Sequence, residues 1–109
     1  MPARSARILR AVSAFSPAVA VVPTYNEAPT LHRLVEAFEL AAPGIQLLVV
    51  DDASPDGTAA LAERLAATRP WMHVLHRPGK DGLGNAYRAG FAWALERDCA
   101  AVAQLDADL

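Results

Sequence analysis

Short apolar runs alternate with helix-period segments along this chain. From Ala18 the run Ala-Val-Ala-Val-Val is rich in β-branched residues and stops at Pro23, the pattern of a strand buried on both faces. Leu31, Leu34, Val35 and Phe38 then recur at i, i+3, i+4 and i+7, one face of a helix that Pro43-Gly44 ends. Ile45 to Val50 is a second apolar run, and Asp51-Asp52-Ala53-Ser54-Pro55-Asp56-Gly57 after it is a dense cluster of turn formers. Asp56 or Thr58 suits the cap of a second helix with Leu61 and Leu65 inward, ending near Pro70. Met72 to His76 reads as a weaker third strand and Pro78 to Gly84 as a loop. Asn85 to Arg97 reads as a third helix with Tyr87, Phe91, Ala94 and Leu95 on its apolar side, and Ala100 to Leu105 as a fourth strand.

Strict alternation of strand and helix predicts an α/β fold: a mostly parallel sheet in a three-layer α/β/α arrangement. Such sheets bind ligands at the carboxyl ends of their strands, and each unusual motif of this chain falls at one. Residues 1–17 carry Arg4, Arg7 and Arg10 without the apolar run of a signal peptide. They are expected to form a loose N-terminal extension, with residues 18–109 as the domain.

A length of 109 residues allows one modest domain. Apolar residues at 53% and charged residues at 20% are a folding composition, not a disordered one. The net charge is -2, and the single Lys and nine Arg read as scattered, without a basic stripe or basic-aromatic interleaving, so nucleic acid is not expected as a partner. Cys99 is the only cysteine, which precludes an internal disulfide and fits a reducing compartment. No apolar run approaches the roughly 20 residues of a bilayer span.

Four segments carry candidate chemistry. Asp106-Ala107-Asp108 directly follows an apolar strand, and in extended chain residues i and i+2 point the same way, so two carboxylates can converge on one hard divalent cation. Asp-x-Asp also arises by chance as a pair of solvated acids. In Pro23-Thr24-Tyr25-Asn26-Glu27, an aromatic ring and a carboxylate in a strand-to-helix loop suit a nucleobase; the plainer reading is a helix start, with Asn26 and Thr30 as caps and Glu27 on the first-turn dipole. At Asp51-Asp52 two adjacent acids end a buried strand, so one is expected to be solvated; Asp52 suits a nucleobase or ribose hydroxyl, while Asp56 is structural. The glycines of Arg77-Pro78-Gly79-Lys80-Asp81-Gly82-Leu83-Gly84 expose backbone N–H groups before a helix, a fair anion site that Arg77 and Lys80 would supplement. The segment lacks the placement and third glycine of a dinucleotide fingerprint.

Taken in order, Val22-Pro23-Thr24-Tyr25-Asn26-Glu27, Val50-Asp51-Asp52-Ala53-Ser54-Pro55-Asp56-Gly57-Thr58, Gly82-Leu83-Gly84-Asn85-Ala86-Tyr87 and Asp106-Ala107-Asp108-Leu109 resemble the family 2 glycosyltransferases. The Ser-Pro-Asp-Gly-Thr and Gly-Leu-Gly-x-Ala-Tyr elements are most similar to the polyprenol-phosphate (dolichol-phosphate) mannosyltransferases. The resemblance runs from about Ala18 to Leu109 and implies an incomplete GT-A fold, the donor half cut off after the Asp-x-Asp motif. It implies inverting, metal-dependent transfer of a hexose, mannose from GDP-mannose, to a polyprenyl phosphate. By position, Pro23, Tyr25, Glu27, Val50 and Asp52 would hold the nucleoside, and Asp106 and Asp108 would hold Mg²⁺ or Mn²⁺, with Ala107 beside the ribose or diphosphate. The family's sheet order puts the fourth strand next to the first, with its outer edge awaiting a strand absent from this chain. The implied location is cytoplasmic, at most peripheral at the cytoplasmic face of a membrane, and the isolated piece is expected to be inactive.

Three alternatives fit the same residues. One is a family 2 enzyme with a glucosyl, rhamnosyl or N-acetylglucosaminyl donor. Another is a non-catalytic nucleotide-binding chain that works with a partner. The last is a phospho-acceptor receiver domain, which would place its acidic pair after the first strand rather than the second and its lysine late in the chain.

Overall fold

The computed structural model describes residues 3–107. Eight elements follow one another: α1 (Ala3–Val12), β1 (Ala18–Thr24), α2 (Ala28–Ala41), β2 (Gln46–Asp51), α3 (Thr58–Ala66), β3 (Met72–His76), α4 (Leu83–Glu96) and β4 (Ala101–Gln104). The strands form one sheet in the order β3-β2-β1-β4, every pair parallel. β4 lies beside β1 at the sheet edge, as the resemblance implies.

Alternate residues of each strand feed opposite faces. Ala18, Ala20 and Val22 of β1 with Leu47 and Val49 of β2 point into the larger cluster, which α1, α2 and α3 cover. Val19 and Val21 with Leu48 and Val50 point to the other face, under α4. Because both faces are covered, the central strands read as unbroken apolar runs rather than alternating ones. Leu31, Leu34, Val35 and Phe38 are the buried stripe of α2, as their spacing predicts.

β1 runs on through Pro23 to Thr24, two residues past the expected stop. Pairing with β4 ends at Val21, whereas pairing with β2 continues to Thr24. Beyond Val21, β1 is bonded on one side, where a missing N–H is tolerated.

α4 also departs from the expected packing. Its buried line is Ala86, Gly90 and Ala94, each one turn from the next, whereas Leu95 is 74% exposed. Tyr87 and Trp93 flank that line, half-buried. Small residues let the helix descend onto β1; a β-carbon on Gly90 would collide with Val21 Cγ1.

The N-terminal segment is not a loose extension. Residues Ala3–Val12 are helical, with Leu9 only 1% exposed and Ile8 and Val12 packed on the larger cluster, so α1 lies against β4 on the α2 side. Ile8, Leu9 and Val12 supply an apolar stripe too short to stand out in sequence yet wide enough to dock a three-turn helix. The expectation of no basic stripe also fails here: once Ala3–Val12 is helical, Arg4, Arg7 and Arg10 at i, i+3 and i+6 share its opposite, exposed face.

Candidate functional site

Three successive backbone N–H groups build the first part of the site. Past β1, Asn26 adopts a left-handed conformation, φ +58°, which Asn tolerates better than most residues. The turn aims the next amides at the loop after β2. Asn26 N donates to Ser54 Oγ at 3.0 Å, Glu27 N to Thr58 Oγ1 at 3.0 Å, and Ala28 N to Asp56 Oδ2 at 3.2 Å. The orphan donors of the α2 N-terminus are thus satisfied by side chains of another loop, and Asn26 and Thr30 do not cap it. Glu27 occupies the N-cap position without a side-chain cap bond.

The acceptors are themselves fixed. Asp51, 1% exposed, accepts hydrogen bonds from Thr24 Oγ1 at 2.7 Å, Ser54 N at 2.9 Å and Ser54 Oγ at 2.6 Å. Asp56 Oδ1 accepts from Thr58 N at 3.0 Å and from the Thr58 hydroxyl. That hydroxyl bond, with the Ala28 and Thr58 amides, holds the Asp56 carboxyl below its ordinary value of 3.8. Ala53, at φ +55°, takes the strain of turning the chain between Asp52 and Ser54.

Neither acid of the Asp51-Asp52 pair is solvated, contrary to the expectation from sequence. Asp52 is 6% exposed and accepts from Arg77 Nη1 at 2.8 Å. A buried carboxylate is tolerable when a bonded cation faces it, and the third loop supplies that cation. Arg77 bridges Asp52 to Asp81, so its guanidinium is committed to carboxylates and is not a free anion ligand. Lys80 does not extend an anion site either: its Nζ sits 4.4 Å from the centre of the Tyr25 ring, a cation–π contact. The loops after β1, β2 and β3 are therefore bound together at the carboxyl end of the sheet.

Of the expected nucleoside residues, Pro23, Tyr25 and Glu27 are half-buried along this rim. Val50 has no exposed surface and lies in the core under α4, so its side chain does not reach the rim. Asp106, beyond β4, is exposed, and its Oδ1 at 3.5 Å and Leu105 O at 3.3 Å share the one proton of the Tyr87 hydroxyl. Burial first, then the Asp106 charge, pushes the Tyr87 hydroxyl above its ordinary value, so it stays a donor. Arg4 and Ser5 of α1 close a cleft of about 220 Å³ around Tyr87, Gln104 and Asp106. Ala107 is 7% exposed and packs into the larger cluster; Asp108 lies outside the described residues.

A larger cavity, about 550 Å³, opens at the other end of the sheet between Phe38, Pro43, Ile45 and Trp71. Its lining is mostly apolar and sits at the amino ends of β2 and β3, away from the polar loops.

Among the described residues no group of three His, Cys, Asp or Glu side chains could hold a metal. Just beyond β4, Asp106 offers an exposed hard-oxygen ligand that is in no ion pair of those residues, a donor suited to Mg²⁺ or Mn²⁺. Sequence reasoning missed Thr24, Asp51, Ser54 and Thr58 as the brace of the first loop, and Tyr87 as the partner of Asp106. The signal available was the run of hydroxyl and carboxylate side chains at Ser54, Asp56 and Thr58.

The glycosyl transferase family 2 profile matches residues 19–109. The undecaprenyl-phosphate mannosyltransferase of Micrococcus luteus is 51% identical over 88 residues, 81% of this chain and 36% of that protein. The polyprenol monophosphomannose synthase of Mycolicibacterium smegmatis is 49% identical over 89 residues, 81% of this chain and 34% of that protein. The chain thus spans about a third of the length of these relatives. Among solved structures, a mannosyltransferase of Pyrobaculum calidifontis in complex with GDP-Man and Mn²⁺ is similar, with a TM-score of 0.64 and 28% identity over 84% of this chain and 30% of that one. With the parallel sheet, the braced loops and a match running almost from β1 to the last residue, the chain belongs to glycosyl transferase family 2.

Proposed function

We propose that this chain forms the donor side of an inverting mannosyltransferase that moves mannose from GDP-mannose to a polyprenyl phosphate. The observation that carries the reading is the brace: three amides of the loop after β1 bonded to Ser54, Thr58 and Asp56, which present Tyr25 and Glu27 at the carboxyl rim of the sheet. The identity of about half to two polyprenol-phosphate mannosyltransferases supports the substrate class.

In this reading Pro23, Tyr25 and Glu27 hold the nucleoside above the floor that Val50 provides. Asp52 accepts from it with the oxygen that Arg77 leaves over. Lys80 lies on one face of the Tyr25 ring, so a base stacks on the other face or takes its place. Asp106 and Asp108 would hold the metal, with the Ala107 backbone alongside. A bound Mg²⁺ or Mn²⁺ would neutralise charge on the departing diphosphate. An oxygen of the lipid phosphate attacks the sugar C1 as the bond from C1 to the β-phosphate oxygen breaks and GDP leaves. The lipid phosphate is already an anion at neutral pH, so no protein group has to remove a proton, and alignment of the two substrates is the main task of the chain.

The test is a donor panel. GDP-mannose with Mn²⁺ is expected to raise the melting temperature of the chain, UDP-glucose with Mn²⁺ to leave it unchanged, and Asp106→Asn to abolish the Mn²⁺-dependent part of the shift. An equal response to UDP-glucose would move the assignment to another sugar donor.

A further inference from the structure

Helix α1 has two faces with separate tasks. Ile8, Leu9 and Val12 are spent on the core, while Arg4, Arg7 and Arg10 project together from the opposite face, all exposed. Successive members of the set lie three residues apart, so the guanidinium groups run along one side of a helix about 15 Å long. Among the described residues none of the three is in an ion pair; the ion pairs lie elsewhere. The charge is also segregated along the chain. No Asp or Glu precedes Glu27, so the N-terminal segment is purely basic while the rest holds all 12 carboxylates of a chain whose net charge is -2. Asp106 shares the cleft with Arg4 and offsets part of its charge; Arg7 and Arg10 stand farther along the face.

We propose that this face of α1 docks on a membrane surface bearing anionic phospholipids. Three cations spread over about a third of the helix circumference can face a plane of phosphate headgroups together. Because the apolar stripe of the helix is committed to the core, the contact is electrostatic and reversible by salt rather than an insertion into the acyl region. Arg4 lines the cleft that holds Asp106 and Tyr87, so docking brings that cleft to the bilayer. The charge argument stands without the transferase reading, which adds only why the cleft belongs there: a lipid-phosphate acceptor lies in that plane.

Vesicle co-sedimentation tests it. The chain is expected to pellet with vesicles containing about one-third phosphatidylglycerol, to remain in solution with pure phosphatidylcholine, and to be released by about 0.5 M salt, where screening cuts in within a few ångströms. Each arginine contributes on the order of fivefold to partitioning, so the triple variant Arg4→Gln, Arg7→Gln, Arg10→Gln is expected to lose about a hundredfold. The matching triple Lys variant should retain binding, and because all three side chains are exposed both variants should melt with the parent. Equal pelleting with neutral vesicles, or full binding by the triple Gln variant, would overturn the proposal. Retention on an RNA oligonucleotide without binding to anionic vesicles would overturn it in favour of another partner. A donor-panel failure leaves the vesicle result intact, and the reverse also holds.

Discussion

Ser54 does two things at once: its hydroxyl accepts the Asn26 N–H and donates to the buried Asp51 carboxylate. Ser54→Ala leaves a backbone donor and a carboxylate each one partner short, a loss of about 1–2 kcal/mol of stability that chemical denaturation would read. Asp56 acts in the same brace but titrates. Its folded-state carboxyl lies below the ordinary 3.8 because the ionised form is bonded by Thr58 and by the Ala28 and Thr58 amides. The stabilisation is therefore in full force above that value and is lost as the pH falls through the lower folded one. Melting curves of the parent chain and Asp56→Asn should differ at neutral pH and converge in acid; a gap that persists at pH 2 would mean that the carboxylate charge is not what the brace uses. Asp56 as structural, and the placement of Tyr25 and Asp106 at the strand ends, were legible from sequence. The burial of both Asp51 and Asp52 was not, because their partners, Thr24 and Arg77, lie 27 and 25 residues away along the chain, and one-dimensional spacing carries no information on which loop will meet which.

Among the elements, the helix faces divide what periodicity can and cannot reveal. The stripe of α2 was readable because four large apolar residues at i, i+3, i+4 and i+7 admit only one face. On α4 the buried line is Ala86, Gly90 and Ala94, and the eye is drawn instead to larger residues such as Leu95. Close approach, not size, decides that helix. Gly90→Ala is expected to cost about 1–3 kcal/mol through collision with Val21, although alanine favours helix in isolation. Leu95→Ala should change stability by less than about 0.5 kcal/mol, since that side chain is 74% exposed. For α1 the contrast runs the other way: Leu9→Ala should cost about 2–4 kcal/mol, because Leu9 is 1% exposed in the main cluster. Thermal unfolding of the three variants side by side would separate these outcomes, and a silent Leu9→Ala would return the first residues to the status of an extension.

At the scale of the whole molecule, polar chemistry gathers at the carboxyl end of a four-stranded parallel sheet, while the amino end offers an apolar cavity between Phe38 and Trp71. The alternation of strands and helices in the sequence already implied this polarity, since parallel strands place all their following loops on one side. What remained hidden was that the first three loops support one another: the second satisfies the amides of the first, and the third supplies Arg77 to the second and Lys80 to the first. Such an assembly keeps its shape before any ligand arrives, so the ordering cost of binding is already met by folding. In the proposed donor reading, this brace prepares the nucleotide site. Calorimetric titration of GDP with Mn²⁺ into the parent chain, Tyr25→Ala and Ser54→Ala, each below its melting temperature, tests it most directly. Binding to the parent chain, with a loss of tenfold or more in Tyr25→Ala and a several-fold loss in Ser54→Ala, is the predicted result. Unchanged affinity in a folded Ser54→Ala chain would contradict the account.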